Sequence, residues 1–322
     1  MCAEIEAAIK KYNSYCIFFV DNDIVVNDFN RFEELLDGLI SIRQKYPQFT
    51  IESAEIITKN FSAPYIKKMA LAGFKNVQIG YESPSNNLLA KIDKKNTFAS
   101  NLLFIKFAKK YRIKIAGANI IQSLYEETDE DIVESINNIH YLRFFYADGY
   151  FRHSYARLSI IESSPYCRNK LNIKKESVSI DPIILFLPKD YIADNTKFTL
   201  LEHSVIDSNP LWNNFNEIDY FYTQHSYSYN FIINNGLVEY IEYFDNLEIN
   251  RLEFDIYSKE WIILKHVNKQ VLSLDSLSKI VDLDQNKDEI RSIIDELHTE
   301  HLIYHNADYS EIIAIVDIEQ TI

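Results

Sequence analysis

The stretch KNVQIGYESPSNNLLAKIDKK, residues 75–95, places a carboxylate and a hydroxyl directly after an apolar run that is typical of a buried strand. Glu82 and Ser83 follow that run, and the pattern of an amphipathic helix comes next. In a strand–helix unit of a parallel sheet, the carboxyl end of the strand opens into the region where ligands bind. The spacing therefore indicates a binding role for Glu82. A second interpretation stays open, in which Ser83 or Ser85 caps the next helix and Glu82 is a solvated turn residue.

Polar side chains also end the other predicted strands of the first half of the chain. They are Asp21, Asn22 and Asp23; Glu52, Ser53 and Glu55; Asn119, Gln122 and Ser123; and Arg152, His153, Ser154 and Arg157. Because the carboxyl ends of parallel strands lie at one end of a barrel, these side chains are expected to converge at one mouth. The sequence therefore predicts a ligand site there. Each residue, taken singly, is also compatible with an exposed strand end or a helix cap.

The elements that position these residues repeat as strand followed by helix. A helix from Ala3 to Lys11 leads into the strand YCIFFVDND, and a helix from about Asp28 to Tyr46 follows. The step recurs at FTIESAEII, NVQIGYES and IKIAGANIIQS, and a fifth strand candidate lies in YFRHSYARLSI. In the second step, Pro64 stands in the first turn of the helix and Gly73 just past its end. Such alternation predicts parallel βαβ units, hence an α/β barrel or a doubly wound sheet.

Length, composition and charge limit the classes of protein. The chain has 322 residues, 47% of them hydrophobic, which is enough for a substantial core and favours two domains. A net charge of −14, spread along the chain, argues against nucleic acid or an anionic membrane as a partner. No apolar run reaches the roughly 18 residues of a membrane span, and no signal-peptide pattern opens the sequence. We expect a cytoplasmic protein.

Motifs that would bind metals or nucleotides or supply a nucleophile are incomplete in this sequence. The three cysteines, Cys2, Cys16 and Cys167, are isolated and offer no spaced metal motif. The segment DNDIVVND begins like a calcium loop but has Val25 and Val26 where an oxygen ligand and a glycine belong. Six glycines form no phosphate-binding loop, and the histidines lack the spacing of a zinc site. We therefore expect no metal site and assign no catalytic residue.

Three segments resemble one enzyme family. They are FFVDNDI, ITKNFSAPYIKKMALAGFKNVQIGYESPSNNLLAKIDKKN and NIIQSLYEETDEDIVESINNI, and they are similar to radical S-adenosylmethionine enzymes, closest to the cobalamin-dependent branch that modifies ribosomally made peptides (RiPP maturases). The resemblance implies a partial parallel (β/α) barrel with S-adenosylmethionine at its mouth, close to Glu82. The cofactor-binding candidates are then Asp21, Asn22, Glu82, Ser83, Asn119, Gln122 and Arg157.

Departures from the family pattern bear on activity. Members carry a Cys-x-x-x-Cys-x-x-Cys loop that holds a 4Fe-4S cluster and an amino-terminal cobalamin domain, and this sequence has neither. Without a cluster no electron reaches S-adenosylmethionine, so the resemblance implies a chain that is inactive alone or depends on a separate amino-terminal segment. The segment SLYEET also replaces the usual Gly-x-Pro-Gly-Glu-Thr turn.

The second half changes in composition. Residues 161–250 are rich in aromatic residues and Asn, and we expect this region to pack on the barrel formed by residues 1–160 rather than to stack on bases. Residues 251–322 read as three helices and a β-hairpin, a winged-helix-like α+β module. Its core positions are expected to be Leu264, Leu277, Ile280, Ile293, Ile294 and Leu297. Its third helix is acidic, which disfavours DNA and is compatible with binding a leader peptide by strand addition.

Two roles therefore compete. In the first, the chain is part of a peptide-modifying radical enzyme whose cluster loop lies on another segment, which would then be its partner beside the precursor peptide. In the second, it is a non-catalytic protein that binds a precursor peptide or an enzyme.

Overall fold

A computed structural model describes residues 1–26, 28–124, 126–160, 178–180, 186, 202–204, 209–280 and 287–319. Ten α-helices lie within these residues: α1 (Cys2–Tyr12), α2 (Phe29–Lys45), α3 (Ala63–Ala72), α4 (Asn86–Lys91), α5 (Phe98–Lys110), α6 (Asp129–Ile139), α7 (Leu211–Gln224), α8 (Lys259–His266), α9 (Leu274–Ile280) and α10 (Lys287–Thr299). Among the described helices, none combines the length and apolarity that a membrane crossing requires.

Fourteen strands are described. They are β1 (Cys16–Phe18), β2 (Thr50–Ser53), β3 (Glu55–Ile56), β4 (Asn76–Glu82), β5 (Lys114–Gln122), β6 (Ser154–Arg157), β7 (Ser159–Ile160), β8 (Val178–Ile180), β9 (Glu202–Ser204), β10 (Tyr227–Asn234), β11 (Leu237–Phe244), β12 (Leu247–Asp255), β13 (Ile303–His305) and β14 (Ile312–Ala314). The protein is a mixed α/β structure with a parallel sheet in its first half, as the repeated strand–helix pattern predicts.

The parallel sheet follows chain order. β1 pairs with β2, and β3, β4, β5 and β6 pair in succession, every pair parallel. Buried Ala54 alone separates β2 from β3, and its carbonyl accepts a hydrogen bond from the Gln78 amide at 2.9 Å. β2 and β3 are thus one strand with an irregularity. Neighbouring strands joined in order by helices are the arrangement of consecutive βα units.

Local sequence signals set the ends of the helices that support this sheet. The Asp28 carboxylate accepts the Arg31 amide at 3.0 Å at the start of α2. α3 has proline in its first turn and ends at Gly73, which adopts φ +102°. Because this left-handed conformation suits glycine, the predicted end of α3 is confirmed.

The central helix α5 is buried along most of its length. Every residue from Phe98 to Ala108 is buried, including Asn101 and Lys106. One side of α5 lies against the parallel sheet, and the other is covered by the carboxy-terminal segment, whose strand β14 contacts it. A helix that is buried on all sides lies between two layers, so α5 joins the two halves of the molecule.

The carboxy-terminal half begins with an antiparallel meander, β10–β11–β12, and continues with three helices and the β13–β14 hairpin. The boundary predicted at residue 250 lies inside β12. Of the predicted core positions of the last segment, Ile280 is the exception: it is 45% exposed at the end of α9. Helical spacing alone predicted its burial, but a residue in the last turn of a short helix has few neighbours.

Candidate functional site

One face of the parallel sheet is open and carries small and polar residues. Gln78 is exposed on β4, and its side chain lies over Gly117 of β5, where an added Cβ would come within 2.9 Å of the Gln78 Cγ. Gly80 follows on the same face of β4 and Asn119 on the same face of β5, because residues two apart in a strand point the same way. Few side chains therefore obstruct a ligand that approaches this face.

Glu82 ends β4 at the edge of this open face. Its backbone has φ +58°, a left-handed conformation that is uncommon for a residue other than glycine. A carboxylate oxygen of Glu82 lies 4.0 Å from the point where a Gly80 Cβ would be, so the carboxylate faces the same side as Gly80. The Lys94 ammonium donates to this same oxygen, Oε1 of Glu82, at 2.7 Å. The Glu82 side chain is 17% exposed and that of Lys94 37%, so the pair is open to exchange with another cation.

Asn119 is the second predicted site residue that the structure places on the open face. The hydroxyl of Ser154, at the start of β6, donates to its side-chain oxygen. The two strands pair in register at these residues. Glu82 and Asn119 thus supply a carboxylate and a carboxamide on neighbouring strands.

Ser83 and Gln122 point elsewhere. Ser83 is fully buried, and its hydroxyl oxygen accepts the Ser85 amide at 3.0 Å. The Ser85 hydroxyl in turn accepts the Leu88 amide at 3.1 Å and caps α4, as the alternative interpretation expects. Gln122 donates to the Asn216 side chain of α7 at 3.0 Å, on the helix-covered side of the sheet. Neither side chain joins Glu82 on the open face.

The loop after β1 holds the remaining carboxylates. Asp21 and Asn22 are exposed there. Asp23 accepts the amides of Val25 and Val26 at 3.2 and 3.1 Å, so its carboxylate organises the loop backbone. Arg157 ends β6 and pairs in register with Gln122; its side chain lies outside the described residues.

A buried cluster beneath the strand ends is not apparent from the sequence. Asp219 of α7 accepts hydrogen bonds from the Tyr146 hydroxyl at 2.5 Å and the Tyr155 hydroxyl, and His153 Nδ1 lies 2.7 Å from its Oδ1. Burial would raise the pKa of Asp219, but His153 and the two hydroxyls outweigh it and hold the pKa below its ordinary value. The cluster ties α7 to β6. Asp219 lies 64 to 73 residues from the other three members, so no local spacing reveals the cluster.

Two polar atoms beside this cluster lack a partner among the described residues. They are the Tyr81 hydroxyl and His153 Nε2, both buried, and the two rings lie 4.9 Å apart between centroids. Tyr81 directly precedes Glu82, and burial holds its pKa well above the ordinary value, so the hydroxyl remains a donor.

Helix α7 also fixes the loop after β5. The Glu127 carboxylate accepts the Leu124 amide at 3.0 Å and the Trp212 indole N–H at 3.2 Å. Burial raises the pKa of Glu127. The described residues of this loop are therefore held by Glu127 and by α7.

The described cysteines do not fit an iron–sulfur cluster. Cys2 packs against Gly38 between α1 and α2, while Cys16 is exposed on β1. Within the described part of the chain, no group of three potential ligands is placed to hold a metal ion. A 4Fe-4S cluster needs closely placed thiolates, which these residues do not provide. The open face near Glu82, by contrast, carries a carboxylate, which can accept a hydrogen bond from an ammonium group.

No family model and no curated protein sequence matches the chain. Similar solved structures are radical S-adenosylmethionine enzymes. The methyltransferase TsrM from Kitasatospora setae, with cobalamin and a 4Fe-4S cluster bound, is 13% identical at a TM-score of 0.45, over 55% of this chain and 35% of that one. The cobalamin-dependent enzyme OxsB is 18% identical at a TM-score of 0.35, and the match covers 54% of this chain and 25% of that one.

A third similar structure extends over more of the chain. The coproporphyrinogen III oxidase HemN from Escherichia coli is 10% identical at a TM-score of 0.37, over 93% of this chain and 74% of that one. The chain spans about a third of the length of TsrM. At TM-scores below 0.5, none of these similarities assigns an activity or a ligand to this chain.

Proposed function

We propose that this chain belongs to the radical S-adenosylmethionine enzymes of ribosomal-peptide maturation and works in the cytoplasm with a separate segment that holds the iron–sulfur cluster. The observation that carries the proposal is the placement of Glu82: a strand of a parallel sheet ends in Gly-x-Glu-Ser, and the carboxylate lies at the edge of an open face. The resemblance of residues 57–96 to radical S-adenosylmethionine enzymes supports the same site.

In this proposal the Glu82 carboxylate accepts a hydrogen bond from the ammonium group of S-adenosylmethionine. Such a charge-assisted bond contributes about 1.5 to 3 kcal/mol. Lys94 now donates to Glu82 at 2.7 Å, so the ligand must displace an ammonium of the protein. Asn119 supplies a carboxamide on the neighbouring strand. With a reduced cluster, bound S-adenosylmethionine supplies a radical; the residues of this chain hold its polar end.

The carboxy-terminal segment supports a role with peptides. Its three helices, followed by the β13–β14 hairpin, have the order of a winged-helix-like module. Within the described residues β13 is an edge strand, because it pairs with β14 alone. An extended leader peptide could add to such an edge through main-chain hydrogen bonds. The acidic face of α10, with Asp288, Asp295 and Glu296, opposes binding of DNA.

A second candidate function is a non-catalytic protein that binds a precursor peptide or an enzyme. The sequence contains only three cysteines, and none is spaced for a cluster. This composition favours the non-catalytic candidate. The open face would then take a partner's surface instead of a cofactor. Binding of S-adenosylmethionine separates the two candidates.

Calorimetry with S-adenosylmethionine tests the first candidate. We expect Glu82→Gln to weaken binding about ten- to a hundredfold, the equivalent of one charge-assisted hydrogen bond. Glu253→Gln, a change of equal charge at an exposed position of β12, is the control and should leave binding within about twofold of the wild type. No binding to the unmutated chain, or equal loss in both variants, favours the second candidate.

A further inference from the structure

A large cleft of the described structure has a lining that includes neither Glu82 nor Asn119. It has a volume of about 1010 Å³ and runs between the first half of the chain and the carboxy-terminal segment. Helices α4, α6 and α7 form one wall, and α10, β13 and the hairpin loop form the other. A cleft between two bodies is a common place for a ligand. Four of the eight histidines of the sequence line it: His140, His298, His301 and His305.

The charge of this cleft is negative. Among the described residues that line it are the carboxylates of Glu134 and Asp308 and neither Lys nor Arg. Hydrogen bonds from Ser310 lower the pKa of Asp308, so it is ionised at neutral pH. Burial lowers the pKa of His140 to about 3 and of His298 to about 4. These imidazoles add no positive charge at pH 7.

Aromatic faces are held in fixed positions along the cleft. The Tyr222 hydroxyl lies 2.6 Å from His140 Nδ1, and the Tyr141 hydroxyl lies 2.8 Å from His298 Nε2. The rings of Tyr141 and Tyr304 meet edge to face at 5.4 Å between centroids. Tyr141, Tyr222 and Tyr304 are only 3 to 6% exposed, so these rings give the cleft a rigid wall.

Carboxamides complete the lining. Asn86 and Asn138 are engaged, since Asn86 donates to the Tyr304 hydroxyl at 3.1 Å and Asn138 to the Pro84 carbonyl at 2.9 Å. Asn87 and Asn137 are exposed on α4 and α6 at the rim. A carboxamide both donates and accepts, so exposed Asn side chains can bond the backbone of an extended chain.

We infer that this cleft binds a basic, extended segment of a polypeptide, with Lys or Arg side chains beside the carboxylates of Glu134 and Asp308 and with backbone groups on the rim carboxamides. The inference rests on the proposed function in that a peptide is the partner, and it names the chemistry of the segment. A net charge of −14 on the whole chain favours the approach of such a segment.

Fluorescence anisotropy of the full chain with a labelled peptide of alternating lysine and glycine tests the inference at physiological ionic strength. A peptide of alternating glutamate and glycine is the charge control and should not bind. Asn137→Arg adds a positive charge at the rim and should weaken binding of the lysine peptide about tenfold. Asn213→Arg adds the same charge to an exposed position of α7 outside the cleft and should change binding less than about twofold.

Two results would overturn the inference: equal affinity for both peptides, or an equal loss in both arginine variants, which would indicate diffuse attraction to an acidic protein. Circular dichroism of both variants confirms that they fold. Because the assay contains no S-adenosylmethionine, failure of cofactor binding at Glu82 leaves its outcome unchanged.

Discussion

The mouth of the parallel sheet and the junction between the two halves of the chain handle polar groups in opposite ways. At the mouth, Glu82 and Lys94 form an ion pair that solvent reaches. At the junction, Arg143 and Glu242 form a bidentate pair at 2.7 and 2.9 Å with both side chains buried, and Lys106 is buried among backbone carbonyls. Exposed pairs contribute little to stability, whereas a broken buried pair leaves an unpaired charge. The junction therefore determines stability, and the mouth is free to serve binding.

The largest effect is expected from Glu242→Gln at the junction. Arg143 would lose one charged partner while remaining 1% exposed, and the Tyr240 hydroxyl would lose its acceptor at 2.7 Å. We expect a loss of about 3 to 5 kcal/mol in the free energy of unfolding, measured with urea. Glu239→Gln, which affects an exposed pair with Arg251, is the matched control and should cost less than about 1 kcal/mol. Equal losses would remove the contrast between buried and exposed pairs.

The second-largest effect is expected from acid, which should lower the free energy of unfolding through the buried histidines near the junction. His140 and His298 have pKa values of about 3 and about 4, lowered from 6.5 by burial and neighbouring cations. Below about pH 6.5 the unfolded chain binds more protons than the folded chain, so stability is full above that pH and falls with acidification.

We expect about 2 kcal/mol of unfolding free energy to be lost between about pH 7 and 5, after allowance for partial exposure of the rings. A His140→Gln, His298→Gln double variant should flatten this dependence. His225→Gln, at an exposed site beside Asp245, should not. A slope that persists in the double variant would assign the acid sensitivity to other groups.

Lys106 gives an effect of the same sign in a higher pH range. Burial lowers its pKa to about 7 from 10.5, so between these values the unfolded chain holds the proton that the folded chain releases, and stability rises with pH. Between about pH 7 and 10.5, the free energy of unfolding of the wild type should rise by about 1 kcal/mol per pH unit relative to that of Lys106→Met. Its ammonium donates to the Asn268 and Ala314 carbonyls at 2.5 and 2.6 Å, so a difference that does not change with pH in this window would show that these acceptors retain the proton.

The smallest stability effect concerns the helix that follows the mouth. Ser85→Ala removes the side chain that accepts the Leu88 amide at the start of α4 and should cost about 1 kcal/mol of unfolding free energy. Ser62 precedes α3 without such a side-chain bond, so Ser62→Ala should cost clearly less. Thermal unfolding of the two variants measures the difference, and equal costs would show that the Ser85 bond contributes nothing.

The sequence predicts the first half well because its signals are local. Pro64 and Gly73 bound a helix, and apolar runs that end in polar residues mark strands; both follow from neighbours a few residues apart. The same signals place Glu82 at the end of β4 and Asn119 on β5. They do not reveal that Ser83 turns inward or that Gln122 bonds to α7, because one step along a strand reverses the side chain.

The junction could not be predicted from local pattern. Arg143 and Glu242 are 99 residues apart, and Lys106 and Asn268 are 162 apart. In the sequence, Lys106 lies on a helix and reads as an exposed cation, since lysine is almost never fully buried without a partner. Only tertiary packing of the carboxy-terminal segment on α5 buries it. The Asp219 cluster escapes detection for the same reason.

Lys94→Met tests most directly the claim that the mouth serves binding. The substitution frees the Glu82 carboxylate, which Lys94 now occupies at 2.7 Å. We predict that calorimetry will show about tenfold tighter binding of S-adenosylmethionine than in the wild type, opposite in direction to Glu82→Gln, while the free energy of unfolding changes by less than about 1 kcal/mol. Unchanged or weaker binding, or a loss of stability as large as that of Glu242→Gln, would contradict the assignment of Glu82 to a binding site.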